Sequence, residues 1–178
     1  MPAIDPVDRA TAEEKLGEEL ASFARLGDDD ATFLRILAHV PNYAEALWGA
    51  MSEALFEGNV DHRLKEIIRV QLARTAGDHY FSTLRSEPAL DAGLTEDDID
   101  AGRDGFEDDP RFTDAEKWAL RYAYLMYREP EKIDAAFYDE GKRHFSEAQI
   151  MEIGGLIAIH YGMDVFMRTL QPGESAAE

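Results

Sequence analysis

The sequence contains no cysteine. That absence excludes disulfides, thiolate metal sites and every mechanism that needs a cysteine nucleophile or a redox-active cysteine pair. Basic residues are scarce as well. Five Lys and thirteen Arg stand against 37 acidic side chains, a formal charge of −19. Nucleic acid and anionic membrane surfaces repel such a chain at long range, so neither is an expected partner. Long hydrophobic runs are missing. The most apolar stretch, 154–163, is far short of the roughly 20 residues that cross a bilayer. Residues 1–14 are acidic and lack the basic flank and apolar run of a secretory signal, so the expected location is cytoplasmic. No segment alternates apolar and β-branched residues with polar ones, and no sheet is expected.

Several site motifs are absent too. There is no glycine-rich phosphate loop and no nucleophile elbow. The five histidines, His39, His62, His79, His144 and His160, include no pair four apart. The acidic run from Asp100 fails as a calcium loop, because Gly102 and Arg111 occupy its third and twelfth places. No metal and no cofactor are expected.

What remains is a chain of 178 residues and 20.0 kDa, 45% hydrophobic and 31% charged, enough for one well-buried core. Four positions carry a capping-box pattern: Thr11/Glu14, Thr95/Asp98, Thr113/Glu116 and Ser146/Gln149. With the breakers between them they predict helices near 11–26, 30–39, 42–57, 61–76, 79–90, 95–103, 113–128, 131–144 and 147–170. The fold class is therefore all-α, a single-domain helical bundle. The expected organisation is an N-terminal helical extension over 1–29, the main helical domain over 30–171 and a disordered tail over 172–178. Apolar residues surround 149–170 on nearly every side, which marks it as the expected central helix. Gly154 and Gly155 point to a close helix contact there. The acidic stretch 97–109 reads as a linker between two helical halves, and Asp28-Asp29-Asp30 as charge favourable to a helix start.

Two constellations carry potential chemistry. His160, Asp164 and Arg168 stand four apart on the last helix, either as an ion-paired rung at a contact or as the polar lining of a pocket. Glu66, partly among apolar neighbours, precedes Asp78, His79, Tyr80 and Arg85 at a helix junction. A Glu, a His and an Arg brought together there are equipped for acid–base work, and a solvated face with an ordinary junction is the alternative.

The string LKEIIRVQLARTAGDHYFSTLRSEPALDAGLTEDDID, residues 64–100, resembles the alkylhydroperoxidase D-like and carboxymuconolactone decarboxylase superfamily. That family shows a Glu-bearing helix, then Cys-x-x-Cys-x-x-x-His, then a GLTEEEI-like turn. The lead-in from Leu34 to Gly58, with Pro41, and the closing segments FTDAEKWALRYAYLMY and HFSEAQIMEIGGLIAIHYGMDVFMRTL extend the resemblance over most of 30–171. It implies a helical bundle of the alkylhydroperoxidase D-like type and a homo-oligomer: dimer, trimer or hexamer. It also places Glu66 at the proton-relay position, Asp78 and Phe81 at the two cysteines and Arg85 at the histidine. Three of the four peroxidase residues are thus replaced. The decarboxylase branch keeps a His where Arg85 stands.

The function this implies is a family protein without the peroxidatic thiols. It would be a cofactor-free, non-redox enzyme, a lyase or isomerase acting by acid–base chemistry on a small carboxylate or lactone. The candidate catalytic residues are Glu66, Asp78, His79 and Arg85, with Tyr80 and His160 as substrate-binding candidates. In that reading Arg85 pairs a substrate carboxylate, and Glu66→Gln is expected to leave the fold intact. The alternative is a non-catalytic binding or scaffold protein that keeps only the fold, with Glu66 satisfied by Arg69 or Arg85 and no cavity beside it. Either way, dithiol- or lipoyl-dependent reduction of cumene hydroperoxide should not exceed the heat-killed control, because no thiol exists to be oxidised.

Overall fold

The computed structural model describes residues 3–170. The expected tail over 172–178 lies outside the described residues. The chain runs through α1 (Arg9–Phe23), α2 (Thr32–Leu37), α3 (Pro41–Phe56), α4 (His62–Ala76), α5 (His79–Thr83) and α6 (Glu87–Asp91). It continues through α7 (Glu96–Ala101), α8 (Asp114–Arg128), α9 (Ala135–Gly141) and α10 (Glu147–Thr169). The described residues contain no strand, and the protein is all-α.

Three of the four expected capping boxes form, at Thr95, Thr113 and Ser146. The fourth does not, because Asp8 starts α1 three residues earlier. Its carboxylate accepts from the Thr11 backbone N–H at 3.0 Å and from the Thr11 hydroxyl at 2.7 Å. The expected helix over 79–90 breaks in two. Leu84 and Ser86 adopt extended backbone, and Pro88 sits in the first turn of α6, a position where its missing N–H costs nothing. That break turns the 84–86 backbone towards α4, which matters for the site below.

The most buried helix is α4, not α10 as the apolar pattern suggests. On α4, Leu64 to Val70 are all buried, along with Leu72, Ala73 and Ala76, and it packs against α3, α5, α6, α7, α8 and α10. The α10 helix lies along α4 with Ile150, Ile153, Leu156, Ile157 and Met167 inward. Its outer side leaves Met151, Val165 and Phe166 exposed. The 23-residue helix is long and apolar enough to span a membrane by length and composition alone, with a mean hydropathy of 1.3 over its most apolar 18-residue window. The 154–163 run understated this, since the apolar character extends past the polar residues on the inner face. Of the adjacent glycines only Gly154 meets a neighbour, where a Cβ would lie 3.0 Å from the Tyr122 hydroxyl, while Gly155 faces open space.

The 97–109 stretch is no linker. Ile99 and Phe106 are buried in the core, and Gly102 is pressed onto Ile67 of α4 so closely that a Cβ would collide with it. Two aromatic clusters fill the ends of the bundle. Phe23, Phe33, Trp48 and Phe81 form one, and Trp118, Tyr122, Phe137 and Phe145 the other.

The second cluster closes tightly on α9. The Trp118 indole N–H donates to the Phe137 carbonyl at 3.0 Å, and its ring lies flat against Gly141, where any Cβ would overlap it. A buried ring held by a hydrogen bond has little room to move. Gly141→Ala should therefore lower the melting temperature by several degrees, on the order of 1–3 kcal/mol, measurable by calorimetry or circular dichroism. Gly93→Ala at the exposed α6–α7 turn has open space around it, so only its positive φ of 88° should tell.

Candidate functional site

Glu66 and Arg69 sit one turn apart on α4, and both are fully buried. The Arg69 guanidinium grips the carboxylate with two parallel bonds, Nε to Oε2 at 2.9 Å and Nη2 to Oε1 at 2.7 Å. It also donates to the carbonyls of Phe81 at 3.0 Å and Leu84 at 2.6 Å. The Ser86 backbone N–H adds a third bond to Glu66, 2.9 Å to Oε1. His62 joins the knot, its Nδ1 donating to the Leu55 carbonyl at 3.0 Å and its Nε2 meeting the Ser86 hydroxyl at 2.9 Å. Burial by itself would raise the Glu66 pKa. The Arg69 charge and the bonds from Arg69 and Ser86 outweigh it and hold the carboxyl below its ordinary range. Glu66 is thus held in its ionised form as an anchor, with three donors on its carboxylate.

A second group of polar side chains shares the same interior. Asp78, His160 and Asp164 are all buried. Asp78 ends the α4–α5 junction, and its Oδ1 caps α5 by accepting from the Tyr80 N–H at 2.9 Å. Its Oδ2, both carboxyl oxygens of Asp164 and Nδ1 of His160 have no hydrogen-bond partner among the described residues. His160 Nε2 donates to the Met51 carbonyl at 3.2 Å, which leaves Nδ1 as the basic atom.

These groups also act on one another. Burial raises Asp78 to about 6, against the pull of backbone N–H bonds and of Arg69. Burial and the Asp78 charge push Asp164 well above the carboxylate range. Burial and the Arg69 charge lower His160 to about 4. Near neutrality the site therefore holds an Asp164 biased towards its protonated form, a neutral imidazole and an Asp78 that is mostly ionised and reaches half-titration near pH 6, beside a buried Arg69 that spends four of its five N–H donors elsewhere.

The expected His160–Asp164–Arg168 rung is not ion-paired. Arg168 instead donates to the Ala76 carbonyl at 2.9 Å, over the α4–α5 junction. The remaining sequence candidates are scattered. His79 is exposed. Tyr80 hydrogen-bonds Asp28 and accepts from the Phe33 N–H at 3.3 Å, tying α5 to the 28–33 turn. Asp28 also accepts from the Thr32 N–H at the start of α2 at 3.3 Å, as expected of charge at a helix start, and Asp30 pairs with Arg35 at 2.6 Å. Arg85 lies beyond the short α5 and pairs with Glu96 at 2.7 and 2.8 Å. It does not face Glu66; Arg69 holds that place. The i, i+3 spacing of Glu66 and Arg69 was the available signal, and nothing in the sequence ranked it above Arg85. Asp164 was visible only as a rung of the α10 ladder.

The surface cavities lie elsewhere. One of ≈ 270 Å³ is lined by residues of α4, α8 and the 102–106 turn, one of ≈ 500 Å³ lies between α8 and α9, and one of ≈ 350 Å³ lies between α3 and α10. None of the three is lined by Glu66, Asp78, His160 or Asp164. Among the described residues, no three His, Asp or Glu side chains are gathered so as to hold a metal ion.

The helical bundle is the fold the 64–100 string implied, with Glu66 on α4 and Asp78 capping α5. Residues 41–124 match the model of the Carboxymuconolactone decarboxylase family, from the start of α3 into α8, and the resemblance holds in a chain that lacks the cysteine pair. No curated protein matches the chain. Two similar solved structures are of the debrominase Bmp8. The ligand-free form has a TM-score of 0.81 at 22% identity, over 97% of this chain and 92% of that one. A Cys-to-Ala variant in complex with 2,3,4-tribromopyrrole has a TM-score of 0.79 at 22% identity, over 95% and 91%. At that identity the likeness is one of fold.

The geometry reverses the expectation for Glu66→Gln. Removing the charge strands a buried guanidinium, so the variant should lose about 3–5 kcal/mol, roughly 6–20 °C in melting temperature for a chain of this size. Arg85→Gln, whose partner Glu96 is largely in water, should cost about 1 kcal/mol. Parallel thermal melts of the two variants check this. Equal effects would mean that Glu66 is not the anchor.

Proposed function

We propose that the protein is a cofactor-free, non-redox enzyme of the carboxymuconolactone decarboxylase type. Its acid–base chemistry on a small carboxylate or lactone is carried by Asp78 and Asp164 rather than by Glu66. The observation that supports this is the set of buried polar atoms without partners at the α4–α5 junction, where the resemblance puts the first family thiol. Such groups destabilise a fold unless something else uses them. Asp78, mostly ionised at neutral pH with its pKa raised to about 6, can accept a proton. Asp164, kept neutral by burial, can donate one, and His160 Nδ1 can relay between steps. The two carboxyls interact and titrate as a pair, not as independent groups. The Bmp8 complex with a small halogenated pyrrole supports a small, flat ligand class on this fold.

The second reading, a non-catalytic scaffold, is favoured by one observation: Glu66 is fully satisfied, and no described cavity opens on the cluster. The outer face of α10, with Met151, Val165 and Phe166 exposed, supports the homo-oligomer the resemblance implies.

Variants that keep shape and remove titration separate the two readings. Asp78→Asn retains the cap on Tyr80. A carboxyl whose folded pKa lies above its unfolded one binds its proton more tightly when folded. Its stabilising contribution is therefore full below about pH 4 and is lost as pH rises through about 6. Relative to Asp78→Asn, the natural protein should lose about 2–3 kcal/mol over that window, read from melts across pH. Asp164→Asn should melt within about 1 kcal/mol of the natural protein at pH 7, since both side chains are neutral there. Release of CO2 from carboxylated γ-lactones, or their isomerisation, should require Asp78 and Asp164 and rise with a limb near pH 6. A pH-independent stability difference, with no protein-dependent turnover, would leave the scaffold reading.

A further inference from the structure

We infer that the hollow between α4, α8 and the 102–106 turn is a binding site for a small organic anion with an apolar or aromatic body. Three arginines, Arg74, Arg103 and Arg128, rim a floor made by Leu72, Phe106 and Leu120. The volume, ≈ 270 Å³, falls just below the roughly 300–1,000 Å³ of drug-sized ligand sites, room for a single substituted ring. The site is separate from the acid–base cluster and stands without it. Gln71 and Thr75, which also line it, lie about 140° and 180° around α4 from Glu66, so α4 stands between the two.

The charge pattern is what singles this hollow out. In a chain of net charge −19, most arginines are spent on carboxylates. Arg63 holds Asp98 and Glu116, Arg121 holds Glu107 and Glu140, and Arg111 holds Asp109. Arg128 has no carboxylate within 4.0 Å among the described residues, and its guanidinium lies 5.1 Å over the Tyr124 ring at the rim. Arg103 meets only Asp104, at 3.3 Å, with both side chains largely in water, a pairing of little worth that a ligand displaces readily. Arg74 is held by Asp100 at 2.8 Å with Glu96 at 3.9 Å, so it orients the rim and contributes less free charge than Arg128.

Guanidinium groups recognise a carboxylate through paired N–H bonds, and the apolar floor takes the remainder of such a ligand. The concavity is built in rather than incidental. Gly102 lets the end of α7 press onto Ile67 and Leu120, where any larger residue would push the wall outward.

Isothermal titration with benzoate, benzamide and inorganic phosphate, at low and high salt, tests the site. Benzoate should bind at least about tenfold more tightly than its neutral isostere, the worth of one charge-assisted hydrogen bond, and more tightly than phosphate, which has no apolar body. Binding should weaken as salt rises. Arg128→Gln, on an exposed side chain, should lower benzoate affinity about tenfold, and Asp78→Asn should leave it unchanged. Absence of benzoate binding at millimolar concentration, equal binding of benzamide or phosphate, or indifference to Arg128→Gln would overturn the proposal. Loss of binding in Asp78→Asn with retention in Arg128→Gln would move the ligand to the α4–α5 junction and overturn it equally.

Discussion

A guanidinium shut away from water must have its charge balanced and its five N–H groups satisfied, and Arg69 imposes that requirement on everything around it. Glu66, one turn earlier on the same helix, neutralises it. The carbonyls of Phe81 and Leu84 reach it only because the chain leaves α5 after a turn and a half and runs extended to Ser86. Ser86 in turn gives its N–H to Glu66 and its hydroxyl to His62. The pair therefore fastens the α4–α5–α6 connection to the centre of α4. A buried ion pair adds little net stability over a hydrophobic one. Its contribution here is to specify where the junction lies.

The junction so fixed holds Asp78 at a point that burial makes expensive for a charge. Asp164 lies on α10, where burial and the Asp78 charge raise its affinity for a proton. One arginine cannot serve three carboxyls. Glu66 takes the paired bonds, Asp78 takes a helix cap and a residual attraction, and Asp164 is left neutral. Division of labour among nearby acids by differing environments is the usual origin of a proton donor beside a proton acceptor. In this chain it arises without any thiol.

The wider electrostatics follow a similar logic. With so few cations, most arginines have a structural carboxylate to hold, and Arg128, which has none within 4.0 Å among the described residues, stands at the rim of the hollow on the far side of α4 beside the weakly paired Arg103. The apolar surface is likewise gathered, on the outward side of α10. Both features interrupt an otherwise acidic exterior.

The helical architecture was legible along the chain because it rests on local rules. Capping boxes at Thr95, Thr113 and Ser146, the stop at Gly77 and the entry at Pro41 each act within a few residues of themselves. The 64–100 pattern carried the resemblance for a similar reason, since it lies within a few helices and the turns between them. The partners of Glu66 and Arg85 were not legible, because both have an arginine or a carboxylate at several permissible spacings and only packing selects among them. Nor was the ranking of helices by burial. The outer side of α10 is as apolar as its inner side, and which side faces the core depends on α4, some 80 residues away in sequence. The helices, most of their ends and the lack of thiol chemistry follow from residue identity and short-range geometry, and so could be read along the chain. Which acid is neutralised and which holds its proton came from the packed fold, because that depends on how many donors reach each carboxyl once water is excluded.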